Sequence, residues 1–318
     1  MAYRYWELEK IIDGFSYQYA GPDEDATIII RENEWANSVG VRFRAPLKDL
    51  DSYIKYINER RLEEAIVRVS DLSFLEQCPT LKTLEIAPPI GFEGEYDYSP
   101  LYRLSCIQEL RCSAYYGKRE EHISQVDYSK INGLEVIGVQ VTSGMKNFEK
   151  ISTLKFLDVS DFRGKNRDLT DLFCSEKLEK LDMISCGIKS LKGLSQSKKI
   201  EDVSFAYCRS LEDIGALAEV KSTLKHLNID RCGKIKDFSV LEELENLEVL
   251  YLEGNNSIPN LKFLDKLKNL QIFGFDVNVE DGDLSPCLRL PNVICYQGRR
   301  HYNLKNKDLP KRPYRGER

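Results

Sequence analysis

A phrase of three spaced apolar residues recurs along most of this chain, and this recurrence constrains the fold more than any other feature. Each copy has an apolar residue, two variable residues, a second apolar residue, one variable residue and a third apolar residue. The clearest copies begin at Leu154, Leu178, Ile200, Leu224, Leu247 and Leu270, at intervals of 24, 22, 24, 23 and 23 residues. Such a unit cannot bury its apolar face alone, so the repeat predicts a stack of units with one continuous core.

Weaker copies extend the repeat toward both ends of the chain. They begin at Leu81, Ile107 and Leu134, and Val293 with Tyr296 is interpreted as a last, incomplete copy. Each phrase alternates as a strand does, which predicts one strand per unit. The second half of a unit has apolar residues every three positions, as in Phe238, Leu241 and Leu244. That spacing predicts a short 3₁₀ or helical return after each strand.

A small residue follows the third apolar position by three residues in four successive units: Cys186, Cys208, Cys232 and Asn255. We predict that these side chains satisfy inward-pointing main-chain groups where the chain leaves the strand. A metal site would need convergent ligands, and no histidines accompany these sulfurs, so we expect no metal and no cofactor.

The phrase, the Cys or Asn position and the Asp-Phe-Ser-Val-Leu return at residues 237–241 resemble the short-repeat leucine-rich-repeat proteins, including the bacterial internalin-like type. The resemblance covers about residues 62–296. It implies an α/β leucine-rich-repeat solenoid, a horseshoe with a parallel concave sheet and short 3₁₀ or helical convex returns, used mainly to bind proteins. Internalin-like proteins are mostly exported, whereas the charged segment Met1–Lys10 here is unlike a secretory signal.

Three regions are expected along the chain. Residues 1–60 lack the phrase and are interpreted as a small α/β amino-terminal cap, with strands at 26–31 and 39–43 and a helix over 47–60. Residues 61–298 form the solenoid. Residues 299–318 are a basic tail, interpreted first as a flexible extension and alternatively as an anchor or a docked carboxy-terminal cap.

Charge and cysteine content narrow the function classes. The chain carries a net charge of −5, of which the tail contributes +6, so the body carries −11. An acidic body disfavours nucleic acid as a partner. Nine cysteines, with no Cys-x-x-Cys pair, indicate reduced thiols and a cytoplasmic protein. The sequence contains no apolar run long enough for a membrane span.

The variable residues of the strands face away from the core and are the expected binding surface. Acidic side chains collect there in the later repeats, with tyrosine and arginine among them. A stripe of this kind favours a basic protein partner, although charges are also what any solvated strand face carries. The predicted partner-binding residues are Asp158, Asp182, Asp202, Tyr207, Asp230, Arg231, Tyr251, Glu253 and Asp276.

The sequence is also compatible with alternative functions and with a second binding surface. The chain has three scattered histidines and no phosphate-binding loop, so we expect no enzyme activity. The interaction hypothesis has a sharper form, an immunity or inhibitor protein that neutralises a basic toxin or nuclease, and a rival, a carboxylate hydrolase using Asp158 and Asp182. Two lengthened repeats add a second candidate binding edge, formed by Phe92, Tyr96, Tyr98, Tyr115 and Tyr116.

Overall fold

The computed structural model describes residues 27–31, 50–88, 92, 95–112, 126–141, 145–172 and 175–311. Contacts divide the chain into two compact units, which among these residues comprise 27–157 and 158–311. The expected strand at 39–43 lies outside the described residues. Each unit repeats one element pair, a short parallel strand followed by a tight return.

The first unit has a parallel sheet with strands in chain order. A helix, α1 (Leu50–Arg60), connects its first two strands. A separate pair, β5 (Val126–Asp127) with β7 (Met145–Lys146), is also parallel. The strands of the main sheet are β1 (Thr27–Arg31), β2 (Glu64–Arg68), β3 (Thr83–Ile86), β4 (Glu109–Cys112) and β6 (Val136–Gln140).

The second unit also has a parallel sheet with strands in chain order, each of four or five residues. Strand β8 (Phe156–Ser160) crosses the division between the units along the chain. A second two-stranded pair is formed by β13 (Ser257–Ile258) and β15 (Asn278–Val279). The strands of the main sheet are β9 (Lys180–Ile184), β10 (Asp202–Ala206), β11 (His226–Asp230), β12 (Val249–Glu253), β14 (Ile272–Phe275) and β16 (Asn292–Cys295).

The returns are short 3₁₀ segments, as the three-residue apolar spacing predicts. An Asp or Asn side chain two residues upstream accepts a hydrogen bond from the main-chain N–H at or near the start of most of them, as Asp237 does from Ser239. The segments are Ser73–Gln77, Ser99–Arg103, Tyr128–Lys130, Phe148–Lys150, Leu194–Gln196, Gly215–Val220, Ser239–Glu243, Lys262–Asp265, Ser285–Arg289 and Asn306–Asp308. This side-chain turn sets the direction of the chain before each return.

The repeat phrase forms the core. In β11, for example, Leu227 and Ile229 are buried while the residues that alternate with them are partly exposed. Burial of each such side chain stabilises the fold by roughly 1.5–3 kcal/mol. The predicted α/β leucine-rich-repeat architecture of parallel strands and 3₁₀ returns is therefore confirmed in both units.

One copy of the phrase was missed in the sequence, and one strand of the expected cap joins the main sheet. Leu62, Ala65 and Val67 form a buried copy, with Ala65 and Val67 in register with β3. Strand β1 pairs in parallel with β2 in the same register, so part of the expected cap belongs to the main sheet. Alanine at the second apolar position hid the copy at Leu62, whereas the strand at β1 was expected from the sequence.

The last copy also differs from the expectation. Its three apolar positions are Leu290, Val293 and Cys295, all buried. The assignment of Tyr296 to this copy is wrong, because its side chain is 49% exposed beyond the end of β16.

The Cys or Asn position three residues after the third apolar residue has the predicted role, which is to bond inward-pointing main-chain groups. The thiols of Cys186 and Cys232 donate to the carbonyls of Val159 and Phe205, each over 3.4 Å. Cys208, which lies in the repeat between these two cysteines, makes the equivalent contact. All three are free, buried cysteines.

The asparagine of this series is Asn256, and the prediction of Asn255 is wrong. Asn256 is buried, and its amide donates to the carbonyls of Cys232 over 3.3 Å and Ile235 over 2.9 Å. Asn255 is exposed. Gly254, with φ of +122°, takes the chain through a wider turn that moves the inward position by one residue.

Residues 299–311 dock on the end of the second unit, so a flexible extension is the wrong interpretation for them. The Tyr302 hydroxyl accepts from the N–H of Val279 over 3.1 Å and donates to the carbonyl of Val277 over 3.2 Å. Leu309 is buried, and the carbonyl of Pro310 accepts from the N–H of Val293. The segment is the docked cap of the alternative interpretation, and residues 312–318 lie outside the described part of the chain.

Candidate functional site

The candidate site is the open face of the sheet in the second unit, on the side of the strands opposite the core. Neighbouring strands are in exact register, so outward residues align in rows across the sheet. One row runs Lys180, Asp202, His226, the next runs Asp182, Ser204, Asn228, Tyr251, Gly274, and the third runs Ile184, Ala206, Asp230, Glu253.

A lysine that the sequence prediction missed organises the first part of this face. Lys180 Nζ lies 2.9 Å from Asp202 Oδ2 and 3.8 Å from Asp182 Oδ2. Asp202 also contacts His226, whose Nδ1 lies 3.4 Å from the same oxygen. Although burial opposes ionisation, hydrogen bonds and charges from His226 and Lys180 lower the pKa of Asp202. Two of the predicted acids are therefore partly neutralised within the chain.

A second cluster of acids surrounds Asp230. Burial raises the pKa of Asp230, and Asp276 adds to the effect. Burial, followed by the charges of Asp230 and Asp276, also raises the pKa of Glu253. Arg231 opposes both shifts and lies 3.2 Å from Asp230. The free chain thus holds carboxylates close together with partial compensation, which makes this cluster attractive to further positive charge.

Tyr207 and Arg231 leave the sheet together at the carboxyl edge of their strands. Both have left-handed backbone conformations, with φ of 55° and 50°. The Arg231 guanidinium donates to the Tyr207 hydroxyl over 2.7 Å and lies 5.2 Å from the centre of its ring. Tyr207 is 39% exposed. This stacked pair presents an aromatic and a cationic surface beside the acids.

Gly254 allows the next strand to approach this pair closely. A Cβ at Gly254 would lie 2.9 Å from the Arg231 Cα, and the positive φ favours glycine as well. The N–H of Gly254 donates to the Asp276 carboxylate. Asp276 therefore has a structural role in addition to its charge.

The nine predicted residues all lie on this face or its carboxyl edge, but they form two groups. Asp182 and Asp202 belong with Lys180, whose pKa Asp158 also helps to raise. The other group contains Tyr207, Asp230, Arg231, Glu253 and Asp276. Tyr251 lies across Gly274, at the border of the second group. Lys180, His226 and Asn228 were missed because a lysine, a histidine and an amide do not extend an acidic stripe.

The first unit has a smaller, self-contained charged face. Arg68 pairs with Glu85, and Arg111 pairs with Glu109 over 2.7 Å. Arg111 is buried and lies 5.7 Å from the centre of the Phe156 ring. These cations are matched by carboxylates, so this face offers less unbalanced charge than the second unit.

The aromatic insertion does not form an exposed edge where the structure describes it. Tyr96 and Tyr98 are both 2% exposed, and their rings lie 4.9 Å apart. The Tyr96 hydroxyl donates to the carbonyl of Val69 over 2.6 Å. Tyr96 and Tyr98 thus pack inside the first unit instead of forming the expected binding edge. Tyr115 and Tyr116 lie outside the described residues.

Two further properties bear on function. Within the described ranges, no helix is long and apolar enough to cross a membrane. In the same ranges, no group of three or more His, Cys, Asp or Glu side chains has a geometry that would hold a metal ion. The carboxylate of Asp182, one of the two acids considered for hydrolysis, is paired with Lys180.

No protein-family model matches the chain. Solved structures with a similar fold include an internalin from Listeria monocytogenes, with 14% identity over 78% of this chain and 64% of that chain and a TM-score of 0.42. The functional domain of InlJ from the same organism, which includes a cysteine ladder, has 15% identity over 67% and 58% and a TM-score of 0.39. A leucine-rich-repeat protein of Leptospira interrogans has 14% identity over 79% and 81% and a TM-score of 0.33. The chain thus spans less than two thirds of that internalin, and these similarities concern the fold alone.

Proposed function

We propose that the chain is a protein-interaction module that binds a basic protein on the open face of its second unit and catalyses no reaction. The observation that carries this proposal is the cluster of Asp230, Glu253 and Asp276 beside the exposed Tyr207–Arg231 pair. Carboxylates held close together gain from an incoming cation, and aromatic and arginine side chains are frequent interface anchors.

The excess of acidic residues on the outward face also supports a basic partner. The outward face of the second unit carries Asp182, Asp202, Asp230, Glu253 and Asp276, against Lys180 and Arg231. Such an imbalance speeds the arrival of a basic partner and weakens with salt, because charges farther apart than about 10 Å are screened at 0.1 M ionic strength. The inhibitor hypothesis is the sharper form of this proposal, in which the partner is a basic toxin or nuclease.

The described cysteines are free and mostly buried, which supports a reducing, cytoplasmic location.

Site-specific photo-cross-linking tests the proposal. A benzoylphenylalanine residue replaces Tyr207 in one variant and Leu288, which is 51% exposed on a return, in the control. In extract from cells that express the protein, we expect a protein adduct at position 207 but not at 288, with a yield that falls as salt rises. Mass spectrometry then identifies the adduct. Equal adducts at both positions, an acidic partner or a nucleic-acid adduct would contradict the proposal.

If the identified partner is a nuclease or toxin, its activity is measured with and without the chain. The inhibitor hypothesis requires that this activity is lost when the chain is present at a saturating concentration. Unchanged activity would leave an interaction module without inhibition.

A further inference from the structure

One strand in the middle of the open face has an unusual set of hydrogen-bonding atoms. Strand β11 places His226, Asn228 and Asp230 on its outward side, alternating with buried Leu227 and Ile229. The three outward side chains are partly buried by their neighbours on β10 and β12, with which they are in register.

Each of these side chains uses one polar atom within the chain. His226 Nδ1 lies 3.4 Å from Asp202 Oδ2, and we assign the ring proton to Nδ1 because a carboxylate only accepts. Asn228 Nδ2 donates to Ser204 Oγ over 3.1 Å. Asp230 Oδ2 accepts from Arg231 over 3.2 Å.

The other polar atom of each side chain is buried and has no hydrogen-bond partner among the residues that the structure describes. These atoms are His226 Nε2, Asn228 Oδ1 and Asp230 Oδ1. With the proton on Nδ1, all three are acceptors. A buried acceptor without a donor is costly, so this row of acceptors favours a ligand that brings donors.

The spacing and the surroundings specify the ligand further. Alternate residues on a strand are separated by about 6.5–7 Å. The ring of Tyr251, the in-register partner of Asn228, borders the acceptors on one side of β11. Ile184 on β9 is exposed on the other side of β11. The surrounding carboxylates favour positive charge. The matching group is cationic, has several donors and no acceptor, and stacks on aromatic rings.

We infer that β11 recognises arginine side chains of an extended segment of the protein partner, with guanidinium groups donating to Asn228 and Asp230. A guanidinium has five donors in a planar fork and no acceptor, whereas a lysine ammonium is a compact point charge. Arginines at alternate positions of an extended segment have the same spacing as the acceptors. This inference rests on the proposed function and assigns the chemistry of the partner.

Peptide titration of the full chain tests the inference. The probe is the acetylated, amidated peptide Ala-Arg-Ala-Arg-Ala, with matched peptides in which lysine or citrulline replaces arginine. Dissociation constants come from amide chemical-shift titrations. We expect shifts centred on residues 226–230, binding of the lysine peptide several-fold weaker, and loss of binding with neutral citrulline.

Variants separate recognition from folding. Asn228→Leu removes the acceptor at similar volume and should weaken the arginine peptide at least tenfold, whereas Asn228→Asp keeps an acceptor and should retain binding. Asn255→Leu, at an exposed turn, is the control and should bind as the wild type does. If Asn228→Leu fails to fold, as judged by circular dichroism, Asp230→Leu removes the other acceptor and should likewise weaken the arginine peptide at least tenfold.

Equal affinities for the arginine and lysine peptides would overturn the inference, as would arginine binding that survives Asn228→Leu. Absence of peptide binding would overturn it as well. In any of these cases, a specific adduct at position 207 still supports the interaction module. Failure of both experiments would reject the proposed function itself.

Discussion

The ring of Tyr251 lies directly over Gly274 on the next strand. A Cβ at position 274 would lie 2.4 Å from two ring atoms of Tyr251, so only glycine allows this arrangement. The glycine is thus part of the candidate site, since it sets the position of the aromatic side chain that borders β11.

Gly274→Ala is expected to destabilise the chain by about 1–3 kcal/mol, because the ring or the strand must shift to relieve the overlap. The free energy of unfolding from denaturant titration measures the effect. Gly233→Ala is the matched control, since a Cβ there meets nothing within 4 Å. Equal effects of the two substitutions would mean that the ring moves freely and that Gly274 does not fix it.

Asn256→Ala is expected to cost about 1–3 kcal/mol of unfolding free energy. It removes the donor to the carbonyls of Cys232 and Ile235, which lie in the interior. Asn255→Ala should change stability little, because Asn255 is exposed. A larger effect at 255 than at 256 would return the inward position to the residue that the repeat count indicates.

The sequence pattern is sufficient for the architecture because burial of leucine depends on strand alternation and period alone. It is less reliable where one residue changes the register, as Gly254 does before Asn256. It also misses interactions between distant positions. Lys180 and Asp202 come together only because their strands pair in register, and a count of acids along one row gives no indication of the pairing. The docking of Tyr302 depends likewise on the buried main-chain carbonyl of Val277 and N–H of Val279, which lie far from it along the sequence.

Tyr302→Phe is expected to destabilise the chain by about 1–3 kcal/mol, because the hydroxyl satisfies one buried donor and one buried acceptor. Thermal unfolding followed by circular dichroism measures the loss. Lys307→Ala, on the exposed part of the same segment, serves as the control. A wild-type melting temperature for Tyr302→Phe would show that the segment does not act as a cap.

The side-chain turns before the returns predict acid sensitivity. Hydrogen bonds from the Ser73, Ser239 and Ser285 residues lower the pKa values of Asp71, Asp237 and Asp283. A lowered folded-state pKa contributes stability above the unfolded value of about 3.9, and this contribution is lost as pH falls below it.

Asparagine at all three aspartate positions keeps the main-chain hydrogen bonds but removes the titrating groups. We therefore expect the denaturation midpoint of this triple variant to fall less steeply than that of the wild type between about pH 5 and pH 3. Glu242→Gln, an exposed charge loss on a return, is the comparison. Parallel pH profiles for the triple variant and the wild type would exclude these turns as the source of acid sensitivity.

Glu253→Gln is expected to stabilise the free chain at neutral pH while weakening partner binding. Burial and the charges of Asp230 and Asp276 raise the pKa of Glu253, so its ionised form is disfavoured in the folded state. An acid with a raised folded-state pKa destabilises the fold when ionised, and the penalty disappears as pH falls and the group is protonated. Glutamine removes the penalty at pH 7. The gain should be no more than about 1 kcal/mol, because solvent screens this partly exposed group.

Denaturant titration at pH 7 and near pH 4 separates this electrostatic effect from a change in packing. The stability advantage of Glu253→Gln should be present at pH 7 and shrink toward pH 4, and Glu242→Gln is the comparison at an exposed position. The same variant should reduce the cross-linking yield at position 207, because one carboxylate of the cluster is lost. A variant that is less stable than the wild type at pH 7 would mean that Glu253 supports the fold, and the acids around Asp230 would then lose their assignment as charges held for a partner.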